Sequence, residues 1–338
     1  MDLTAPTGAT LEAVEAMQGV IRESRSVALV GTGTHSGVGG DVRADREVRG
    51  PAASIRHDPA DLTVTVSAGT EVGALDAELA IHGQECALDP SDPGATVGGA
   101  LACGLSGHRR LRHGPIRDRV LEVRFLTGDG RLVKGGGPTV KNVSGYDLPR
   151  LLVGSLGTLG VIVQATLRCT PRSSVSQWST GTADPFAVRS SMFRPSCVAW
   201  DGTQVWCLLE GHQDDVMTQR DGAGLAPSEA PPWPIGGWRG RIAVRPASLR
   251  DLGPALAGVT GLRWIAEVGV GTVHAAADAP EPIEAARALA HDHGGWLLRE
   301  EGIGVDPFGR PLPNVALMRR LKDALDPEHK LNPGRLPL

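Results

Sequence analysis

A glycine-rich loop after a short apolar run is the first segment whose residue types could bind a ligand. Val27–Val30 is followed directly by Gly31-Thr32-Gly33-Thr34-His35-Ser36-Gly37. Such a loop can direct several backbone N–H groups at one anion. A Rossmann fingerprint would need a third glycine where Ser36 stands, and a helix directly afterwards. A phosphate-binding loop and an ordinary tight loop both fit this segment.

A second segment, Asp92–Gly107, consists largely of small residues. A flat ligand or a phosphate could lie directly against its backbone, and Thr96 and Ser106 could add hydroxyl donors. The same composition also fits a close contact between helices through small side chains.

Two further stretches carry polar groups among glycines and apolar residues. One runs from Lys141 through the single tyrosine, Tyr146, to Ile162, and the other is the ending Asp326–Arg335. Arg335 fits two descriptions, a cation directed at a ligand or a solvated charge near the terminus.

The cysteines and histidines show no spacing typical of a metal site. The five cysteines are scattered and none forms a Cys-x-x-Cys pair, so neither a zinc site nor an iron–sulfur cluster is predicted. His291 and His293 lie on a predicted helix, where positions i and i+2 do not share a face. We therefore expect buried cysteines in a reducing compartment and no bound metal.

The composition excludes several classes of protein. Lys plus Arg is 34 and Asp plus Glu is 38, a formal charge of −4, which lacks the basic surplus usual in nucleic-acid-binding proteins. Apolar residues make up 41% of the chain, enough for a folded core. The longest uncharged stretch, 151–167, is short for a membrane span and interrupted by glycines. With no secretion signal at the N-terminus, we expect a cytoplasmic protein without direct membrane insertion.

Hydrophobic spacing predicts an α+β organisation. Helices are expected over residues 8–23, 71–82 (with Thr70 as its N-cap), 281–293 and 312–325. Strands are expected over residues 27–30, 62–67, 120–126, 131–134 and 161–169. The proline-rich segment 226–240 is expected to be an extended loop. The predicted domains are residues 1–172, a smaller α+β domain over 173–311, and a C-terminal helix and tail over 312–338.

Taken in order, these segments resemble a known family. The sequence contains Pro-Gly-Ala-Thr-x-Gly-Gly at 93–99, Lys-Asn-Val-x-Gly-Tyr-Asp at 141–147, Gly-Thr-Leu-Gly at 157–160 and Leu-Asn-Pro-Gly-Arg at 331–335. With the first glycine loop, this order resembles the two-subdomain FAD-binding fold of vanillyl-alcohol oxidase and para-cresol methylhydroxylase (PCMH). Within that fold it is most similar to the FAD-binding subunits of bacterial glycolate oxidases. The resemblance covers residues 25–172 and 315–336, and is loose between them.

The resemblance implies a non-covalent FAD held between two α/β subdomains, with a smaller α+β cap domain. It assigns the pyrophosphate to Gly31, Thr32, Gly33 and Thr34. It assigns a second wall to Gly94, Ala95, Thr96, Gly98 and Gly99, and the isoalloxazine to Gly104 and Ser106. Main-chain contacts fall to Gly160 and Ile162, and the returning tail contributes Asn332 and Arg335. Thr34 stands where some relatives carry a histidine bonded covalently to flavin, although His35 follows directly.

Two departures from the family affect the expected activity. Leu156 stands where catalytic D-lactate-type relatives carry Glu, and His274 is the nearest equivalent of their histidine motif, without an evident acidic partner. Arg109, Arg110 and Arg335 could supply a cation for a substrate carboxylate, but no base is evident. The expected function is a FAD-binding oxidoreductase subunit that oxidises a small 2-hydroxy acid such as glycolate. Its expected partners are a larger flavoprotein subunit and an iron–sulfur subunit.

Two alternatives stay open at the sequence level. One is a free-standing FAD-dependent oxidoreductase that acts on another small alcohol or hydroxy acid. The other is a nucleotide-binding scaffold without redox turnover.

Overall fold

The computed structural model describes residues 8–52, 54–137 and 146–338. The predicted segment Lys141–Gly145 lies outside these residues. The chain forms a five-stranded sheet between residues 55 and 168 and an eight-stranded sheet between residues 175 and 301. Helices pack on both sheets, so the α+β class expected from the sequence is confirmed.

The elements of the first half alternate short helices and strands. Its helices are α1 (Gly8–Glu23), α2 (Val72–Ile81), α3 (Val97–Cys103), α4 (Arg110–His113) and α5 (Leu148–Leu152). Its strands are β1 (Val27–Leu29), β2 (Arg46–Val48), β3 (Ile55–Asp58), β4 (Thr63–Ser67), β5 (Gln84–Glu85), β6 (Val120–Leu126), β7 (Leu132–Gly136), β8 (Val161–Arg168) and β9 (Thr170–Pro171).

The five-stranded sheet has the order β3-β4-β8-β6-β7, with antiparallel neighbours throughout. Seven of the eight residues of the central strand β8 are buried, because apolar side chains cover both faces of the sheet. Leu75, Leu79 and Leu101 belong to the core on one face. Ile21 of α1 and Val27 of β1 belong to the core on the other. The sheet therefore fixes the end of β1, from which the first glycine loop begins.

The second half is built on the larger sheet. Its strands are β10 (Val175–Gly181), β11 (Cys197–Trp200), β12 (Val205–Gly211), β13 (Ala226–Ser228), β14 (Trp238–Ala243), β15 (Arg263–Glu267), β16 (Thr272–Ala277) and β17 (Trp296–Glu301). Its helices, with the last helix of the chain, are α6 (Pro185–Ser191), α7 (Gln213–Gly222), α8 (Leu249–Ala257), α9 (Pro280–Asp292) and α10 (Val315–Leu325).

The two faces of the eight-stranded sheet have different neighbours. Around β14 and β16, one face packs under α8 and α9 through Ile242, Val273 and Ile283. Side chains alternate along a strand, so Arg241 and His274 lie on the opposite face. There the Arg241 guanidinium donates to the backbone oxygen of Ser106, 2.8 Å away. This face of the sheet therefore lies against the first half of the chain.

A buried ion pair binds α10 to the chain that follows it, which we call the tail (residues 327–338). The Lys322 ammonium pairs with Asp326 and also donates to the backbone oxygens of Thr158 and Leu331, at 2.7 and 3.1 Å. Asp326 is completely buried and accepts the backbone N–H groups of Lys330 and Leu331. These contacts join α10, the tail and the turn before β8 in one place.

Several boundaries differ from the sequence prediction. The N-cap of α2 is Glu71, not Thr70, because the Thr70 N–H closes a turn onto the backbone oxygen of Ser67. Helix α10 begins at Val315, not at 312. The segment 226–240 carries β13 and the first residues of β14 at its ends. None of the helices in the described ranges is long and apolar enough to cross a membrane.

The buried pair yields a prediction about stability. Asp326→Ala leaves the Lys322 ammonium buried without its counter-ion, so we expect the free energy of unfolding to fall by about 3–5 kcal/mol. Urea denaturation followed by circular dichroism measures this loss. The matched control is Asp323→Ala on the same helix, because Asp323 forms an exposed pair with His329 that contributes less than about 1 kcal/mol. Equal losses in the two variants would contradict the role given to Asp326.

Candidate functional site

The first cavity has a volume of about 650 Å³ and lies where the first glycine loop, α3, the turn before β8 and the tail meet. Eleven of the fifteen residues predicted to bind the cofactor line it. They are Gly31, Thr32, Gly33, Thr34, Thr96, Gly98, Gly99, Gly160, Ile162, Asn332 and Arg335. Segments as far apart in sequence as Leu29 and Asn332, 303 positions, are thus brought to one place.

The first glycine loop presents a run of amide groups to this cavity. The N–H groups of the five residues from Gly31 to His35 donate to no acceptor within the described part of the chain, and all five residues line the cavity. Unpaired backbone donors are costly unless water or a ligand satisfies them. Consecutive free N–H groups form a binding site for an anion such as a phosphate.

Hydrogen bonds to three other segments hold the loop in place. The Leu29 N–H donates to the Asn332 side-chain oxygen at 2.7 Å. The Arg49 guanidinium donates to the backbone oxygen of Gly31, and the Thr32 hydroxyl to that of Gly94, both at 2.7 Å. These contacts use the Leu29 N–H and the carbonyl oxygens of Gly31 and Gly94, so none of them uses an N–H group of the loop.

The tail contributes one buried amide and one cation. The Asn332 side-chain nitrogen donates to the backbone oxygen of Leu156 at 2.8 Å, so this residue bridges the end of β1 and the turn before β8. The Arg335 guanidinium donates to the backbone oxygens of Ser36 and Gly40. It forms no ion pair with a carboxylate within the described ranges, and burial lowers its pKa. Arg335 is therefore a half-buried cation in the cavity wall, not a solvated terminal charge.

Four of the predicted residues lie behind or beside the first cavity. Ala95 is completely buried, and Gly94 supports Thr32 through the hydrogen bond described above. Gly104 ends α3 in the left-handed conformation, φ +67°, and with Ser106 it lines a second cavity. The Ser106 hydroxyl accepts the Ile116 N–H. These residues shape the site without facing the first cavity.

The two adjacent glycines of α3 have different surroundings. A Cβ on Gly98 would lie 2.8 Å from the Ala68 Cβ and 3.0 Å from its backbone oxygen. A Cβ on Gly99 would meet only the Thr96 hydroxyl oxygen, at 3.0 Å, and that oxygen caps α3 by accepting the Gly99 N–H. Packing against Ala68 therefore requires glycine at position 98. Glycine at position 99 instead leaves space in the cavity that a side chain would fill.

Two side chains in the cavity wall have shifted pKa values that limit their chemistry. Burial lowers the pKa of His35, so its ring is neutral near pH 7. Burial raises the pKa of the Cys103 thiol to about 11, so the thiol stays protonated. Neither group carries charge into the cavity.

Arg109 and His274 both have charged partners that the sequence did not predict. Arg109 contacts Glu85, Asp89 and Glu210, so its charge is balanced and is not available to a substrate. His274 does have an acidic partner: its Nε2 lies 2.6 Å from the buried Glu267. The expectation that it lacks one was wrong, because Glu267 comes from the neighbouring strand β15. His274 lines neither cavity.

A second ion pair, not found in the sequence, stands on the same face of the sheet. Arg241 and Glu300 lie 2.7 Å apart on β14 and β17. Burial is the largest single effect and opposes ionisation of Glu300, but Arg241, His274 and Arg239 together outweigh it, so the pKa of Glu300 lies below its usual range. Among the described residues, no group of three or more His, Cys, Asp or Glu side chains is placed to hold a metal ion.

Comparison with known proteins identifies the class of this chain. The family model described as an FAD binding domain matches residues 8–136. The model described as the C-terminal domain of FAD linked oxidases matches residues 271–336. The fold and the site thus define an FAD-linked oxidase with the PCMH-type FAD-binding domain.

Similarity to individual proteins narrows the family further. The chain is 31% identical to the glycolate oxidase subunit GlcE of Escherichia coli K12, over 94% of this chain and 92% of that protein. It therefore belongs to the FAD-linked oxidase family that includes GlcE. It is 44% identical to a D-lactate dehydrogenase of Archaeoglobus fulgidus, but over only 31% of this chain and 24% of that protein. A solved structure of alkyldihydroxyacetonephosphate synthase shares the fold, with a TM-score of 0.71 at 15% identity over 97% of this chain and 75% of that one.

The described residues fit the FAD of this family. FAD is a long dinucleotide with an anionic pyrophosphate, and the first cavity offers five free amides together with Arg49 and Arg335. An added Cβ on Gly33 would have no protein atom within 4 Å, so it would project into open space. FAD is the cofactor of this chain.

The contrast between the two glycines of α3 yields a prediction. We expect Gly99→Val to fold with a loss of at most about 1 kcal/mol, since its near neighbour is the capping hydroxyl of Thr96, but to purify largely without FAD. The ratio of visible flavin absorbance to protein absorbance measures occupancy, and thermal unfolding measures stability. In the control Gly98→Val, overpacking against Ala68 should lower stability by about 1–3 kcal/mol. Full flavin occupancy in Gly99→Val would contradict the position of the cofactor.

The mode of attachment yields a second prediction. Because Thr34 stands at the position of the covalent histidine in some relatives, acid precipitation should release all the FAD into the supernatant. His35→Ala should release it equally. Flavin that stays in the wild-type pellet but not in the His35→Ala pellet would show that His35 is the attachment site.

Proposed function

We propose that this chain is the FAD-binding subunit of an enzyme that oxidises a 2-hydroxy acid. The observation that carries the proposal is the run of five free amides from Gly31 to His35 in a cavity completed by Arg335. The full-length similarity to a protein named as a glycolate oxidase subunit supports the choice of substrate class.

The proposed roles of the residues follow their positions. The amides of Gly31, Thr32, Gly33 and Thr34 hold the pyrophosphate, and Gly94 and Ala95 support that loop. Thr96, Gly98 and Gly99 form the opposite wall, and Gly160 and Ile162 line the floor at the start of β8. Gly104 and Ser106 stand where the first and second cavities approach each other, beside the isoalloxazine. Asn332 fixes the tail so that the Arg335 cation faces the flavin, where it would stabilise the reduced, anionic ring.

When bound, FAD supplies the acceptor for the hydride that leaves the α-carbon of the substrate. Oxidation also removes the hydroxyl proton and leaves a 2-oxo acid. The chain's own part is to orient the cofactor and to bring cations near the substrate carboxylate. Arg110 is the arginine that suits this role, because it lines the second cavity and makes no side-chain hydrogen bond or ion pair within the described residues.

We extend the proposal to the organisation of the enzyme. Leu156 lines the cavity where catalytic relatives carry Glu, and no cluster ligands are placed among the described residues. Electrons would therefore pass to a larger flavoprotein subunit and an iron–sulfur subunit. Within the chain, residues 1–172 would bind FAD, residues 173–311 would form the cap, and residues 312–338 would return to the flavin.

Anaerobic reduction tests the proposal. Glycolate or D-lactate added to the FAD-loaded chain should bleach its visible flavin absorbance, while steady-state turnover with an artificial dye should stay low until the partner subunits are added. Fast dye reduction by the single chain would favour a free-standing oxidoreductase. Failure of every 2-hydroxy acid to bleach the flavin, alone or with partners, would contradict the proposed function.

A further inference from the structure

The second cavity has a volume of about 460 Å³ and lies between the two halves of the chain. One wall is the segment after α3, with Gly104 and Leu105, and the other is the face of β14 and β17 that carries Arg241 and Leu298. The tail and α10 close it through Leu336 and Met318. Most of the side chains that line it are apolar.

The second cavity adjoins the first. Cys103 and Leu156 line both of them, so a molecule in the second cavity lies next to the proposed flavin site. Neither shared residue carries a charge: the thiol of Cys103 is protonated, and Leu156 is apolar. The boundary between the cavities therefore suits an uncharged part of a ligand.

The lining does not suit a two-carbon acid. Glycolate has no apolar side chain, and it would leave most of a 460 Å³ cavity to water against leucine, tryptophan and phenylalanine side chains. Burial of apolar ligand surface in such a cavity is favourable, at about 0.8 kcal/mol for each CH₂ group. A ligand with an apolar body gains from this lining, and glycolate does not.

The polar groups of the second cavity specify the rest of the ligand. Arg241 is neutralised by Glu300 and bound to the Ser106 oxygen. Arg110 is exposed and is the lining cation without a hydrogen bond or ion pair in the described ranges. The second cavity is therefore mainly apolar and has one unpaired cation, Arg110, in its lining. This combination suits an amphiphilic monoanion better than an uncharged electron acceptor such as a quinone.

We infer that the second cavity binds the side chain of a 2-hydroxy acid with an apolar group of four or more carbons, its carboxylate at Arg110. The inference rests on the proposed function and names the substrate class within it. It places the apolar side chain against the lining of the second cavity, with the α-carbon on the flavin side of that side chain.

Binding of a graded series of acids tests the inference. Dissociation constants of the FAD-loaded chain are measured by calorimetry for glycolate, D-lactate, D-2-hydroxy-4-methylpentanoate and D-3-phenyllactate. One buried CH₂ corresponds to roughly a fourfold change in the dissociation constant, so the last two acids should bind at least ten times more tightly than glycolate. Equal or weaker binding of the longer acids would overturn the inference.

A matched pair of variants locates the binding. Met318→Gln places an amide in the lining of the second cavity and should flatten the dependence on chain length. Leu317→Gln, next to it on α10, is 53% exposed and outside the cavity, so it should keep the wild-type dependence. Arg110→Gln should weaken all four acids by a similar factor. Identical behaviour of Met318→Gln and Leu317→Gln would exclude this cavity as the site.

The outcomes separate the inference from the proposed function. Anaerobic bleaching by glycolate with no gain from longer acids leaves the function in place and overturns the inference. Tight binding of a quinone that Met318→Gln abolishes, without any preference among the acids, would assign the cavity to an electron acceptor. Absence of bleaching by every acid would overturn both.

Discussion

The site depends on one side chain that joins its two ends, Asn332. Its oxygen accepts the Leu29 N–H at the end of β1, and its nitrogen donates to the Leu156 oxygen before β8. Asn332 adopts a left-handed backbone conformation, φ +44°, and its neighbour Leu331 is bound by the buried Lys322–Asp326 pair. The tail thus anchors both the strand end from which the first glycine loop begins and the turn before β8.

The glycine-rich segments and their order could be predicted from the sequence because their chemistry is local. Glycines in a run such as Gly31–Thr34 allow tight backbone turns whatever the surrounding fold. Eleven of the residues predicted in this way do line one cavity. The partners of His274 and Arg109 could not be predicted. Glu267 meets His274 because β15 and β16 pair as neighbouring antiparallel strands, and neither strand was predicted from the sequence. Glu210 lies on β12, 101 residues after Arg109, and the two meet only through the packing of α4 against the large sheet.

Long-range packing also explains two features that the sequence did not predict, the buried Lys322–Asp326 pair and the second cavity. The Lys322–Asp326 pair has the ordinary spacing of an exposed helix pair, and its burial follows only from the return of the tail. The second cavity arises where an open sheet face meets the segment after α3, so no single segment encodes it. Local residue types therefore identify a cofactor-binding protein, while long-range packing decides which substrates can reach the cofactor.

The central claim is that FAD binds in the first cavity, with its pyrophosphate on the amides of Gly31 to His35. An experimental structure of the chain with FAD tests it most directly. We expect pyrophosphate oxygens within hydrogen-bond distance of at least three of these N–H groups, with Arg335 beside the isoalloxazine. A pyrophosphate elsewhere, with these amides bonded to water or to protein, would contradict it.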